Sequence, residues 1–224
     1  SRAIVLIFEK SSTRTRVSFE VACAQFGGSS IFLSPGDSQM SRGESISDTA
    51  QIVSRMADLI VMRTGAHARL ETMAEHSAVP VINALSDDFH PCQLLADLQT
   101  FNEHRGDIRD AKIAFVGDGS SNVCHSWINA SSMMKFSITV GTPPQYHPKS
   151  EIASVAGARY KVTDNVSEAV KDADLVITDT WAGMGQEKEK AERLALLSAF
   201  QVNAEVMDSA ASDAIFMHCL PAYR

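Results

Sequence analysis

The chain has 224 residues, 45% of them hydrophobic and 21% charged, which is enough to bury a sizeable core in one large or two small domains. Its net charge of −7 argues against a nucleic acid or an anionic membrane as partner, so local basic clusters should bind something small. The longest apolar run is too short to cross a bilayer, and four widely spaced cysteines favour reduced thiols. We expect a cytoplasmic protein without a metal site.

Short β-branched runs alternate with longer amphipathic stretches along the whole chain. The runs predict strands at residues 3–8, 30–33, 58–63, 79–84, 112–117, 137–141, 159–162, 175–179 and 214–218. The stretches predict helices near residues 14–27, 45–56, 67–77, 91–104, 122–135, 165–172, 186–198 and 203–209. This alternation predicts an α/β protein with two doubly wound parallel-sheet lobes covered by helices.

A polar stretch, NEHRGDIRD at residues 102–110, separates one predicted helix from the next predicted strand. It predicts a domain boundary, with one lobe at 1–105 and the other at 106–224. The helix from Pro91 to Arg105 would join the lobes, and the active site would lie between them. Ligands of open α/β sheets bind beyond the carboxyl ends of the strands, so polar residues at strand ends are the functional candidates.

The stretch FEKSSTRTRVSFE at residues 8–20 follows the first predicted strand. Ser12 and Thr13 can cap a helix that begins near Arg14, which directs its first N–H groups and positive dipole end at an incoming anion. Arg14 and Arg16 add donor forks suited to phosphate oxygens. The alternative is a helix start with its arginines in solvent. Caps, arginines and a buried strand together favour anion binding.

A second candidate is the stretch FHPCQLLADLQT at residues 89–100. His90 and Gln93 lie three residues apart at a predicted helix start, so both can face one small polar ligand. Asp97 continues that face and could orient its neighbours. A satisfied structural histidine is the alternative. Arg63 ends the strand DLIVMR and is either a further ligand residue or a surface arginine.

Three strand ends of the second lobe carry the segments FVGDGSSN, VITDTWAGMG and MHCLP. Gly117 and Gly119 favour the tight turn of a dinucleotide-binding lobe, but the GxGxxG spacing is incomplete and is poor evidence for a nucleotide-dependent dehydrogenase. Asp179 could hold a substrate cation. Cys219, beside His218, could be a nucleophile, a polar ligand or a buried structural thiol.

Three of these segments together resemble a known family. Ser12-Thr13-Arg14-Thr15-Arg16, His90-Pro91-Cys92-Gln93 and His218-Cys219-Leu220-Pro221 resemble the three signature motifs of the carbamoyltransferases, in their usual order. The third motif is similar to the ornithine-using branch, since the aspartate-using branch usually has His-Pro-Leu-Pro. The stretch DTWAGMGQE also resembles the ornithine-binding loop. The resemblance covers the whole chain.

The resemblance implies that carbamoyl phosphate and L-ornithine react to give citrulline and phosphate, without a cofactor. Lobe 1–105 would bind carbamoyl phosphate and lobe 106–224 would bind ornithine. The implied phosphate ligands are Ser12, Thr13, Arg14, Thr15 and Arg63. His90 would donate to the carbonyl oxygen with Arg14 and Thr15, and Gln93 would hold the carbamoyl amide. Gln39 would reach the neighbouring subunit's site in the family's trimer.

For ornithine, the resemblance implies that Asn122, Asp179 and Met184 bind the end of the substrate that carries the ammonium and carboxylate groups. Cys219 and Leu220 would meet the substrate near the reacting amine. The catalytic roles would fall to Arg14, His90 and Cys219, in a homotrimer or a multiple of trimers that serves arginine biosynthesis. Family members also carry a helix before the first strand and another after the third motif, which implies that this chain is an internal part of such an enzyme.

Two departures from the family pattern leave alternatives open. Gly183 stands where the ornithine loop usually has serine, and GDGSSN is one residue longer than the usual turn. One alternative is a carbamoyltransferase that uses another amine, although Asp179 disfavours an anionic acceptor such as aspartate. The other is a non-catalytic regulator that only binds a phosphate ligand, and the complete donor set of the first lobe argues against it.

Overall fold

The computed structural model describes residues 2–34, 36–181 and 190–222. The chain packs as two compact units, Ser1–Cys92 and Gln93–Arg224, and each is built on one parallel sheet. The predicted α/β class with two parallel-sheet units is confirmed. The boundary at residue 105 stays a prediction, because the packing divides the chain near the start of the helix that we expected to join the lobes.

The first unit has four parallel strands in the spatial order β2-β1-β3-β4. The strands are β1 (Ala3–Phe8), β2 (Ser29–Leu33), β3 (Leu59–Arg63) and β4 (Val81–Leu85). The helices are α1 (Thr13–Gln25), α2 (Ile46–Val53) and α3 (His67–His76), and α4 (Pro91–Arg105) follows β4.

Strand β1 shows why helices cover both faces of this sheet. Residues 4–8 form an unbroken apolar run, and all of them are buried. Leu6 packs on one face in a cluster with Phe19 of α1, whereas Ile7 packs on the other in a cluster with Ala50 of α2. Side chains alternate between the faces of a strand, so a continuous apolar run is typical of a parallel strand that is buried on both sides.

The second unit has five parallel strands in the order β7-β6-β5-β8-β9. The strands are β5 (Lys112–Val116), β6 (Ser137–Gly141), β7 (Tyr160–Thr163), β8 (Leu175–Thr178) and β9 (Ile215–His218). The helices are α5 (Asn122–Met134), α6 (Ser150–Ala156), α7 (Val166–Val170), α8 (Lys190–Leu197) and α9 (Ala204–Asp208). Helix α5 buries eight side chains, among them Trp127.

Each sheet has a switch point, where the strand order reverses. In the first unit the chain goes from β1 to β2 on one side and then crosses to β3 on the other side of β1. In the second unit β6 and β7 lie on one side of β5, and β8 and β9 lie on the other. Loops that leave the two central strands in opposite directions open a crevice at the carboxyl ends, so β1/β3 and β5/β8 are the expected ligand positions.

The predicted strands all occur, with ends shifted by at most two residues; the strand expected at 79–84, for example, is β4. Helix α6, of seven residues, was not predicted. Of the helix expected at 186–198, residues 186–189 lie outside the described part, and α8 begins at Lys190. No helix in the described ranges is long and apolar enough to cross a membrane.

Candidate active site

The loop between β1 and α1 forms a capped helix start, as the sequence predicted. Ser12 has an extended backbone (φ −157°), and its hydroxyl oxygen accepts a hydrogen bond from the Thr15 N–H at 3.4 Å. The Ser12 hydroxyl donates to Thr15 Oγ1 at 2.9 Å. Thr13 and Arg14 are the first two residues of α1. The positive end of the helix dipole therefore lies at the carboxyl end of β1, beside the switch point.

Arg63 brings a buried cation to the same switch point. It is the last residue of β3, pairs in register with Phe8 and is 9% exposed. Burial, and then the charge of nearby Arg14, lower the pKa of Arg63. Its buried Nε has no hydrogen-bond partner within the described residues. Two neighbouring guanidinium groups repel one another, so this edge of the sheet favours a bound anion.

Glu9 fixes the backbone that carries Arg63, and sequence reasoning missed it. Its N–H donates to the Arg63 carbonyl at 2.8 Å. Its carboxylate accepts hydrogen bonds from Arg69, whose Nε lies 3.1 and 3.2 Å from the two oxygens, and from the Thr64 hydroxyl. Burial opposes ionisation, but these hydrogen bonds hold the pKa of Glu9 below its ordinary value. Glu9 therefore ties the ends of β1 and β3 together through a charged network.

His90 is a neutral side chain near the two arginines. It lies just before α4, at the helix start where the sequence predicted it, and at the end of a turn that Ser86 fixes by accepting the Phe89 N–H at 3.2 Å. Burial, and then the charge of Arg63, lower the pKa of His90 to about 4. A neutral imidazole carries one N–H, which can donate to a carbonyl oxygen without a charge of its own. The first unit thus brings Arg14, Arg63 and His90 together.

Within the second unit, Gln93 and Asp97 form a hydrogen-bonded pair on α4. Gln93 Nε2 donates to Asp97 Oδ1 at 2.9 Å. Burial raises the pKa of Asp97 to about 6, although the hydrogen bond from Gln93 opposes the rise. The prediction that Asp97 lies where it can orient Gln93 is confirmed.

The β5/β8 switch point of the second unit has the opposite charge. Asp179 directly follows β8, and the Cys219 thiol, which directly follows β9, donates to Asp179 Oδ1 at 3.0 Å. Burial raises the pKa of Asp179, although the Cys219 thiol and the Thr180 N–H stabilise its charged form. Asn122 is the first residue of α5, whose N-cap Ser121 accepts the Cys124 N–H at 3.2 Å. This edge of the sheet favours a bound cation.

A buried ion pair stabilises the loops at the β5/β8 switch point, and the local sequence does not predict it. Arg193 of α8 pairs with Asp118, and the two side chains are 8% exposed. The Arg193 Nε also donates to the Trp181 carbonyl, and its guanidinium lies 4.6 Å from the centre of the Tyr146 ring. Asp118 follows Gly117, whose φ of +122° suits glycine in the tight turn after β5. The pair therefore links α8 to the loops that follow β5 and β8.

The remaining predicted site residues are paired elsewhere, exposed, or outside the described part. Arg16, which we expected to serve as a phosphate donor, pairs instead with Glu20 at 3.0 Å and lies over the Phe32 ring. Gln39 is exposed at the start of the 3₁₀ helix Gln39–Arg42, and Leu220 is 60% exposed. The structure does not describe Met184 or Gly183. Within the described ranges no three His, Cys, Asp or Glu side chains are grouped as a metal site would need.

The fold and the charged strand ends define a class: two doubly wound parallel-sheet units, each with charged residues at its switch point. Residues 1–103 match the family "Aspartate/ornithine carbamoyltransferase, carbamoyl-P binding domain", and residues 109–224 match its "Asp/Orn binding domain". The chain belongs to the aspartate/ornithine carbamoyltransferase family.

Similar proteins are known from bacteria and archaea. The chain is 54% identical to the ornithine carbamoyltransferase of Methylococcus capsulatus, a match that covers all of this chain and 75% of that protein. It is also 54% identical to an anabolic ornithine carbamoyltransferase of Pseudomonas aeruginosa, of which it covers 73%. Among solved structures, the ornithine carbamoyltransferase of Pyrococcus furiosus is 44% identical, with a TM-score of 0.92. That match covers 100% of this chain and 73% of the other.

Proposed function

We propose that this chain transfers the carbamoyl group of carbamoyl phosphate to the side-chain amine of L-ornithine, giving citrulline and phosphate. The observation that carries the proposal is the opposite charge of the two switch points. Arg14 and Arg63 suit a phosphate, and Asp179 with Cys219 suits a substrate that carries amines. Aspartate fits this second group less well, because a carboxylate acceptor would meet the carboxylate of Asp179.

In this proposal the first unit holds the phosphate of carbamoyl phosphate. The phosphate ligands are Ser12, Thr13, Arg14, Thr15 and Arg63. The helix start supplies backbone N–H groups and the arginines supply charged donors, which together favour the doubly charged anion. Phosphate bound in this way is also a better leaving group, since the same donors stabilise the charge that it carries away.

The carbonyl oxygen of the carbamoyl group gains negative charge when the amine attacks the carbon. His90, Arg14 and Thr15 donate hydrogen bonds to that oxygen, and Gln93 holds the carbamoyl amide. Removing one such donor typically costs about 2.7–4 kcal/mol of transition-state stabilisation. Because His90 is neutral, it contributes as a dipole, and the charge at this oxygen is balanced by Arg14.

Ornithine is held in the second unit by Asn122, Asp179, Cys219 and Leu220, and Met184 completes the set. The attacking δ-amine must be neutral, so a proton leaves it before the carbon–nitrogen bond forms. Asp179 accepts a hydrogen bond from the Cys219 thiol and can accept another from a substrate amine. Phosphate leaves with the electron pair of the broken carbon–oxygen bond and takes the proton that the attacking nitrogen loses as it becomes an amide nitrogen. No atom changes its oxidation state, so the step needs no redox cofactor.

The proposal extends to a cytoplasmic homotrimer, or a multiple of trimers, that serves arginine biosynthesis. The exposed side chain of Gln39 is free to face a neighbouring subunit, in line with its match to the family residue that does so. Sedimentation equilibrium would test the trimer.

A transfer assay with radiolabelled carbamoyl phosphate tests the reaction. The acceptors are L-ornithine, L-aspartate, putrescine and N-acetylornithine, each at the same concentration. We expect L-ornithine to give the highest rate and a product that co-migrates with citrulline. A higher rate with another acceptor would identify that amine as the substrate. Hydrolysis of carbamoyl phosphate without transfer to any acceptor would contradict the proposal.

A further inference from the structure

Helix α4 carries two Gln-to-carboxylate pairs with the same spacing. Gln93 donates to Asp97 at 2.9 Å, and Gln99 donates to Glu103 at 2.9 Å. The second pair is exposed, whereas the first is half-buried. The two pairs therefore share their geometry and differ in their surroundings.

The carboxylate of Asp97 decides which way the Gln93 amide faces. An ionised carboxylate can only accept hydrogen bonds, so the NH₂ end of the amide must point towards it. The amide is planar, so its oxygen then points away from Asp97. Asp97 thereby favours the amide orientation in which the Gln93 oxygen faces away from it, before any ligand binds.

Carbamoyl phosphate and acetyl phosphate differ only at the position that such an acceptor would contact. Both compounds have a carbonyl group bonded to the same phosphate. Only the carbamoyl group has an NH₂, which donates hydrogen bonds, in place of a methyl group. An acceptor oxygen therefore favours the carbamoyl group. The NH₂ end of the Gln93 amide at the same place would disfavour it, because two hydrogen-bond donors would then face each other.

We propose that Asp97 is a positioning residue that makes the enzyme select carbamoyl phosphate over acetyl phosphate, by holding the Gln93 oxygen towards the carbamoyl NH₂. The inference rests on the proposed function, in which Gln93 holds the carbamoyl amide. Burial raises the pKa of Asp97 only to about 6, so the group is ionised at pH 8, where the test is made.

The test compares Asp97→Asn with the matched control Glu103→Gln. Each change removes the charge of one carboxylate partner on the same helix and keeps its shape. Dissociation constants are measured by calorimetry at pH 8 for carbamoyl phosphate, acetyl phosphate and inorganic phosphate. An asparagine at position 97 can accept or donate, so Gln93 is no longer held in one orientation.

We expect Asp97→Asn to weaken carbamoyl phosphate binding about tenfold, the size of one hydrogen bond, and to change the other two constants less than about twofold. Glu103→Gln should change none of the three. Asp97→Glu keeps a carboxylate and should keep most of the selectivity. Each selectivity ratio comes from one protein preparation, so a partly unfolded variant would not mimic the effect.

Equal weakening of all three ligands in Asp97→Asn, or no weakening of any, would overturn the inference. Wild-type protein that fails to bind carbamoyl phosphate would instead count against the proposed function. Wild-type protein that binds carbamoyl phosphate, together with an unchanged ratio in the variant, would refute only the role of Asp97.

Discussion

The two switch points use the same local structure and carry opposite charges. In both units a buried parallel strand leads into a loop whose serine caps a helix, Ser12 before α1 and Ser121 before α5. In each unit the serine Oγ accepts a hydrogen bond from the N–H three residues further on, at 3.4 Å in the first unit and 3.2 Å in the second. Yet the neighbouring strand ends at Arg63 in the first unit, whereas in the second unit it is followed by Asp179.

The backbone conformation (the frame) and the ligand preference of a switch point are therefore set by different residues. The frame comes from apolar strands, a switch in strand order and a serine cap, all of which the units share. The preference comes from a few charged side chains placed at that frame: cations favour phosphate in the first unit, and carboxylates favour amines in the second. A change at one switch point should therefore leave ligand binding at the other unchanged.

The largest expected effect is that of pH, and it belongs to the amine side alone. At limiting ornithine the rate should rise by up to about tenfold per pH unit between pH 6 and 9, because the attacking amine must lose its proton. His90 has a pKa near 4 and stays neutral throughout that range. The dissociation constant of carbamoyl phosphate should therefore change little from pH 7 to 9. A flat rate profile with chemistry limiting would contradict the mechanism.

Arg14→Ala should lower kcat/KM for carbamoyl phosphate about 10²–10³-fold, since it removes a donor to both the phosphate and the developing oxyanion. Arg16→Ala is the matched control, two residues along the same helix, where the side chain pairs with Glu20. We expect activity within about twofold of wild type for the control, because exposed ion pairs contribute little to stability. Circular dichroism checks that both variants are folded.

Asp179→Asn should raise KM for ornithine about 10²-fold, because the loss of a charged partner for the substrate amine removes a charge-assisted hydrogen bond that is partly desolvated. Asp172→Asn is the control, since Asp172 is exposed near the amino end of β8 and asparagine tolerates its positive φ of 58°. KM for carbamoyl phosphate should stay within about threefold in both variants. A larger change there would mean that Asp179 also acts on the phosphate side.

The smallest effect is expected for Glu9→Gln, which weakens the network that holds the backbone of Arg63. Loss of the charged hydrogen bonds with Arg69 should weaken carbamoyl phosphate binding about tenfold, through misplacement of Arg63. Glu71→Gln, an exposed change on α3, should have no effect. Unchanged binding in Glu9→Gln would show that Arg63 keeps its place without the network.

Features that depend on neighbours in the chain could be predicted from the sequence. The strands appear as apolar runs, the Ser12 cap lies three residues before its partner, and Arg63 ends a strand that the residue pattern already indicated. The Gln93–Asp97 pair could be predicted for the same reason, because residues four apart share a helix face.

Features that depend on distant residues could not be predicted from the sequence. Glu9 meets Arg69 across 60 residues, and Asp118 meets Arg193 across 75. No local period records such pairs. The error at Arg16 has one local and one distant cause. Glu20, four residues further along the same helix, pairs with Arg16, a spacing that the sequence shows, whereas the Phe32 ring beneath its guanidinium belongs to the next strand.

Calorimetric titration of carbamoyl phosphate into Arg14→Ala and Asp179→Asn, with wild type as reference, tests whether the first unit binds the phosphate and the second unit binds the amine. It reports on binding alone, so loss of turnover cannot disguise the result. We expect no measurable binding to Arg14→Ala, and binding to Asp179→Asn within about threefold of wild type. Normal binding to Arg14→Ala, or equal loss in both variants, would contradict the assignment of the phosphate to the first unit and of the amine to the second.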